Sequence, residues 1–258
     1  MPLGRYLLRR WIPSTSDYGG ECFHAFEGGP QYGVSLFARL FPEAHLTPEV
    51  KDVLRRRALA STHATESIFE LFVHEGQAIV ISELVEGVSL AELRAVLDAR
   101  GARLPWTVVL ALAGDICARL GDLRKADVPL PALTPARLRI SLWGRIYACI
   151  SAPELVAGTP WHRRLANTLL PVFALGADAE ERELIGRFGG DDDRGALGVL
   201  ADALVERHPE LAPALPALID DNLDAGRQPR ELIKESLDLA GLRAFWSLVL
   251  EVIETRDG

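Results

Sequence analysis

The apolar period of this chain changes character once, near Gly87. Before that glycine the hydrophobic residues fall in short strand-like runs broken by one amphipathic stretch. Beyond it they recur at helical spacing almost to the C-terminus. A sheet-rich front followed by a helix-rich back builds an α+β fold with two lobes, and the boundary is expected at 86/87. In the front part, Arg5–Trp11, Glu21–Phe26, Val34–Phe41, Ser67–His74 and Gln77–Leu84 read as strands, with turns at Gly19-Gly20, Gly28-Gly29-Pro30 and Glu75-Gly76. The helix lies between the third and fourth strands. Thr47 is its N-cap, Pro48 its first residue, and Val50, Val53, Leu54, Ala58 and Leu59 give the spacing up to Thr62. The order is therefore β-β-β-α-β-β.

The helical part opens at Ser89, a cap for Leu90, Leu93, Val96 and Leu97, and continues from Leu104-Pro105 through Val108, Val109, Leu112, Ile116, Leu120 and Leu123. A proline-punctuated loop, Asp127–Pro135, leads into a short hairpin, Leu138–Leu142 with Arg145–Ile150. The remaining helices are separated near Gly158, Gly189 and Gly226.

Composition narrows the function classes. With 48% apolar and 25% charged residues among 258, the chain can bury a core and is not disordered throughout. Its charge of −8 offers no basic footprint for a phosphate backbone, so nucleic acid is not the expected partner. Only Lys51, Lys125 and Lys234 are lysines, so any chemistry that needs one has three candidates. Cys22, Cys117 and Cys149 are odd in number and form no metal-spaced pair; three buried thiols in a reducing compartment are expected. Met1–Arg10 is no secretory signal, and the longest apolar runs, such as Leu169–Ala177, are far short of a membrane span. A cytoplasmic location without membrane insertion is expected.

The order of elements resembles that of protein kinases, specifically the bacterial Ser/Thr type. The strongest match is Gly76–Leu90, where a strand ends in Glu83, runs two further residues to Glu86-Gly87 and opens the next helix with Ser89-Leu90. Leu133-Thr134-Pro135 is similar to the Leu-Lys-Pro of the catalytic loop. Ala152-Pro153-Glu154 resembles the Ala-Pro-Glu that ends the activation segment, and His63 resembles the histidine after the family's first helix. The resemblance covers about residues 4–176. It implies a five-stranded N-lobe with one helix (1–86) and a reduced, mainly helical C-lobe (87–258), together one bilobal domain.

The resemblance also implies where chemistry would sit, and there the residues differ. Phosphoryl transfer needs a loop around the phosphates, a lysine–glutamate pair, a base and metal ligands. The glycines of the phosphate loop fall on Thr15, Asp17 and Gly20, and Asp17 would repel a phosphate. The strand lysine falls on Arg39, and no lysine precedes Lys51. The small residue that touches adenine falls on Phe37. The helix glutamate falls near Leu54 or Arg55; Asp52 and Glu49 are the nearest carboxylates in sequence for Arg39. The catalytic base falls on Ala132, within Leu130-Pro131-Ala132, the metal-binding asparagine on Arg137, and the metal-binding aspartate near Ile150. Between Val128 and Pro153 there is no Asp, Glu or Asn, whereas hard divalent cations need oxygen ligands. Neither a metal nor any other cofactor is expected.

Other constellations read as structure. The six histidines are scattered, and Asp191-Asp192-Asp193 lacks the glutamate of a calcium loop. Arg55-Arg56-Arg57 would suit an acidic partner, but consecutive helical residues point in different directions and an exposed face is the simpler reading. Trp161-His162-Arg163-Arg164 offers an aromatic-plus-arginine patch, with anchoring of a loop as the preferred alternative. The apolar stretch Leu232–Ile253 reads as a buried helix, with partner docking or homodimerisation as alternatives. The expectation is a bacterial pseudokinase: no phosphotransfer, and a scaffold or regulatory role through contacts with a protein partner such as an active kinase. The alternative is an atypical nucleotide-binding protein, either a metal-independent ATP sensor bonding adenine through backbone groups at Glu83 and Val85, or an atypical transferase.

Overall fold

The computed structural model describes residues 2–12, 21–27, 34–59, 65–125, 133–141, 146–149, 161–188, 194–216, 218–219, 247 and 249–250. The chain divides into two compact units. One comprises Met1–Glu86 with Leu123–Ala132 and Tyr147–Ala157; the other comprises Gly87–Asp122, Leu133–Ile146 and Gly158–Gly258.

The first unit is built on an antiparallel sheet of β1 (Pro2–Leu3), β2 (Tyr6–Ile12), β3 (Glu21–Glu27), β4 (Val34–Pro42), β5 (Ile68–His74) and β6 (Gln77–Glu83). Their order is β1-β2-β3-β4-β6-β5, so the five expected strands are joined by a two-residue strand at the N-terminus. Period-two alternation gives the sheet two faces. On one, Tyr6, Leu8, Ala25, Leu36, Ala38, Leu40, Ile79 and Ile81 form an apolar layer. On the other, the helix α1 (Pro48–Leu59) packs Val50 and Leu54 against Phe41, Ala78 and Val80. The hairpin between β5 and β6 closes in two residues, with φ of 50° at Glu75 and 76° at Gly76, the twist-matched turn that favours glycine.

The second unit begins with β7 (Gly87–Ser89), which pairs with β8 (Leu138–Ser141) in a three-stranded sheet completed by β9 (Ile146–Ala148). The expected hairpin thus carries a third strand that the sequence did not announce. Gly87 makes this possible. Its φ is 147°, and a Cβ there would lie 2.0 Å from the Ile140 carbonyl oxygen. Ser89 then caps α2 (Leu90–Ala99) in a reciprocal box: Glu92 N–H donates to the Ser89 hydroxyl at 3.1 Å, and Ser89 N–H donates to the Glu92 carboxylate at 2.6 Å.

The longest helix among the described residues, α3 (Trp106–Lys125), buries Val108, Val109, Leu112, Ile116 and Leu120, and its Asp115 carboxylate accepts from Ile146 N–H at 3.2 Å. Beyond it run α4 (Trp161–Phe173), α5 (Ala179–Phe188) and α6 (Arg194–Arg207). Leu169, Leu170, Val172, Phe173, Leu175 and Ala177 are buried, so the longest apolar run is core. Among the described residues no helix is long and apolar enough to cross a membrane. Of the stretch Leu232–Ile253 only residues 247, 249 and 250 are described, with Val249 buried and Leu250 exposed.

Candidate functional site

Strands β3, β4 and β6 align the candidate residues of the first unit by register. Cys22 lies opposite Arg39, and Arg39 opposite Val80. The next row is His24, Phe37 and Ser82, and Phe26 and Ser35 follow on the same face. This is the face on which α1 packs, but α1 packs at the Phe41–Val80 end of the rows. A strand that must satisfy an apolar layer on one side is free to vary on the other, and here it varies toward charge and aromatics.

Arg39 is 1% exposed, and its guanidinium lies 5.5 Å from the centroid of the half-buried Phe37 ring. A buried guanidinium persists only with compensating charge or polar contacts. The sequence offered Asp52 or Glu49 as the nearest candidates for this role, with a solvated helix face as the favoured reading of Asp52. Both lie on the exposed side of α1, and the Glu49 carboxylate is drawn below its ordinary range by hydrogen bonding with Thr47. A buried carboxylate in this unit is Glu66, 4% exposed, in the segment that leads into β5. Burial pushes the Cys22 thiol up; Arg39 opposes that shift and Glu66 adds to it, so both charges lie within electrostatic reach of the same thiol. The position near Leu54 or Arg55 carries no carboxylate: Leu54 is buried against the sheet and Arg55 is exposed. Helical spacing could not find Glu66, because the residue sits outside the helix.

The neighbouring rows carry further polar groups. The Ser82 hydroxyl is completely buried and has no hydrogen-bond partner among the described residues. The His24 ring lies 4.5 Å from the Phe26 ring, tilted by 34°, and Arg9 lies over Phe26 at 5.7 Å. Ser82 and His24 were missed in the sequence. Ser82 had a legible signal, since it is the one polar residue in the otherwise apolar run Ala78–Ser82. At the end of β6, Glu83 donates its N–H to the Ser67 carbonyl at 2.8 Å and accepts from Ser67 N–H at 3.2 Å through its carboxylate. Val85 is buried.

In the second unit, Thr134 begins a 3-10 turn over Pro135–Arg137, closed by Arg137 N–H to the Thr134 carbonyl at 2.9 Å. Arg137 is 1% exposed, a second buried guanidinium. Ala132, Ile150, Asp17, His63 and Ala152-Pro153-Glu154 lie outside the described residues, as do Asp191-Asp192-Asp193. Trp161-His162-Arg163-Arg164 opens α4, but its side chains lie outside the description as well. Among the described residues no three of His, Cys, Asp and Glu converge as a metal would require.

No family model and no curated protein matches the chain. Among solved structures it is similar to the kinase domain of PknI from Mycobacterium tuberculosis, crystallised as a point mutant. The TM-score is 0.61 at 15% identity, over 92% of this chain and 97% of that domain. The fold is protein kinase-like. At this identity the likeness speaks for the fold alone. Within it, the kinase-like order of strands, α1 and the Gly87–Ser89 entry to α2 is kept. Arg39 and Phe37 stand on the strand where the resemblance expects a lysine and a small residue.

Proposed function

We propose that this chain is a pseudokinase, a kinase-like domain that does not transfer phosphate and acts through protein contacts as a scaffold or regulator of a signalling partner such as an active kinase, in the cytoplasm. The observation that carries the reading is Arg39 buried beneath Phe37, with Glu66 as a nearby buried carboxylate. A lysine reaches phosphate as a flexible point charge, whereas this guanidinium is held within the sheet face. Phe37 stands at the position where the resemblance expects the small residue that touches adenine. Arg137, at the position given to the metal-binding asparagine, would repel a divalent cation rather than ligate it. The absence of Asp, Glu and Asn between Val128 and Pro153 supports the same reading.

A second reading, a metal-independent nucleotide sensor, is favoured by one observation, the buried Ser82 hydroxyl, unpartnered among the described residues, beside the Glu83–Val85 segment. A transfer assay tests the first reading. Incubated with γ-labelled ATP and either magnesium or manganese, the chain is expected to label neither itself nor a generic acceptor protein above a heat-inactivated control. Label that appears with metal and disappears in Arg39→Ala would overturn it.

A further inference from the structure

The two edges of the sheet in the first unit are built differently. At one end, β1 is a two-residue strand that begins with Pro2, a short edge that offers little to pair with. At the other end lies β5, seven residues long, with Ile68, Phe69, Leu71, Phe72 and Val73 among them. None of its residues is buried, whereas Ala78–Ser82 of the adjacent β6 are all buried. Phe69 is 56% exposed and Val73 43%. A bulge takes up Phe69 near the start of the strand and leaves Glu70–His74 in regular register with Ile81–Gln77. Glu83 donates its N–H to the Ser67 carbonyl, so by alternation Ile81, Ile79 and Gln77 also turn their backbone groups toward β5. Their partners are Glu70, Phe72 and His74. The N–H and C=O groups of Leu71 and Val73 are thereby left on the outer side, where no described residue pairs with them.

We infer that β5 pairs antiparallel with β5 of a second copy of this chain, Leu71 of one opposite Val73 of the other, so that two sheets become one. The strand itself selects this partner and this register. Leu71 opposite Val73 uses the outward groups of both residues in both copies, whereas Leu71 opposite Leu71 would set Val73 against the bulged Phe69. On the face shared with α1 the pairing sets apolar against apolar. On the other face Phe72 meets its own copy at the twofold axis and His74 meets Glu70, so no like charges are opposed. Glu70 keeps Arg5 and Tyr6 of its own chain as partners. That local balance matters, because a chain of net charge −8 otherwise repels its own copy. The pairing goes beyond the pseudokinase reading and stands or falls apart from it.

Sedimentation velocity of the full chain between about 1 and 100 μM is expected to show a reversible shift from monomer to dimer. Val73→Lys puts a charge on the edge and is expected to raise the dissociation constant about tenfold or more. Val199→Lys, at an exposed position of α6, is expected to leave it unchanged. Because Val73 is exposed, its variant keeps the wild-type circular dichroism, so a lost dimer is not unfolding. Phe72→Cys places two thiols across the axis, where directly opposite Cβ atoms are about 4.5–5.5 Å apart, and mild oxidation is expected to give a covalent dimer. His74→Cys, which faces position 70, is expected not to cross-link. Cys22, Cys117 and Cys149 are buried and do not compete. A chain that stays monomeric over the whole range, or a dimer indifferent to Val73→Lys, would overturn the proposal. So would cross-linking through position 74 in place of position 72.

Discussion

The stretch from β6 through β7 into α2 and the strand β4 differ in what holds them in place. The first is held by backbone and capping: a ladder with β4 and β5, a glycine whose φ of 147° lets β7 approach β8, and a Ser89–Glu92 capping box. The second is held by side chains: one face of β4 is plain apolar core, while the other carries Phe37, Arg39 and Phe41. Backbone geometry fixes the first region, whereas the second leaves one of its two faces open to side chains of any chemistry. The strand keeps its register because its apolar face demands it, and the opposite face is then free.

Breaking the first region gives the largest effect. Gly87→Ala places a methyl group 2.0 Å from a backbone oxygen and forces a residue with a side chain to φ of 147°, so a loss of about 3 kcal/mol or more is expected in chemical denaturation. Next comes the apolar support of β4. Leu54→Ala removes a fully buried side chain beneath α1 and should cost about 2–4 kcal/mol. Phe37→Ala, at a half-buried ring, should cost less, about 1–2 kcal/mol. A Phe37 variant more damaging than Leu54→Ala would mean that this face is packed core rather than a site filled by its own side chains. Ser89→Ala is expected to cost about 1 kcal/mol through loss of the cap.

The smallest effect concerns pH. The Tyr6 hydroxyl donates to Glu70 at 2.5 Å and Arg5 donates to it at 2.8 Å, which holds the Glu70 carboxyl below its ordinary 4.5. A depressed carboxyl adds stability above its unfolded value and loses it as pH falls through the lower folded value. Glu70→Gln is therefore expected to flatten the acid side of the stability curve below about pH 4.5 and leave the neutral region nearly unchanged. An acid limb unaltered by this variant would show that the Tyr6–Glu70 bond does not form in solution.

Much of the fold was legible because its signals are local. Alternation located the strands, Thr47-Pro48 located α1, and Glu75-Gly76 and Ser89 punctuated the chain where the structure turns and caps it. β7 was not legible. Three residues carry no period, and its pairing depends on a strand some fifty residues away, Gly87 opposite Ser141. The candidate site was legible only along β4, where counting by two places Phe37 and Arg39 on one face. The carboxylate near Arg39 was not, since Glu66 reaches the sheet from a connecting segment, while the helix that invited a pairing turns Glu49 and Asp52 outward. Nor was the split within Arg55-Arg56-Arg57, where Arg57 is buried and its two neighbours are exposed.

The central claim is that the Phe37–Arg39 face is filled by the chain itself and does not take up a metal–nucleotide complex. Thermal unfolding with ATP and magnesium tests it most directly, because a ligand that binds only the folded state raises its stability as occupancy grows. At millimolar ATP and magnesium the account predicts no change in melting temperature, for the wild-type chain and for Arg39→Lys alike. A rise that requires magnesium would contradict it.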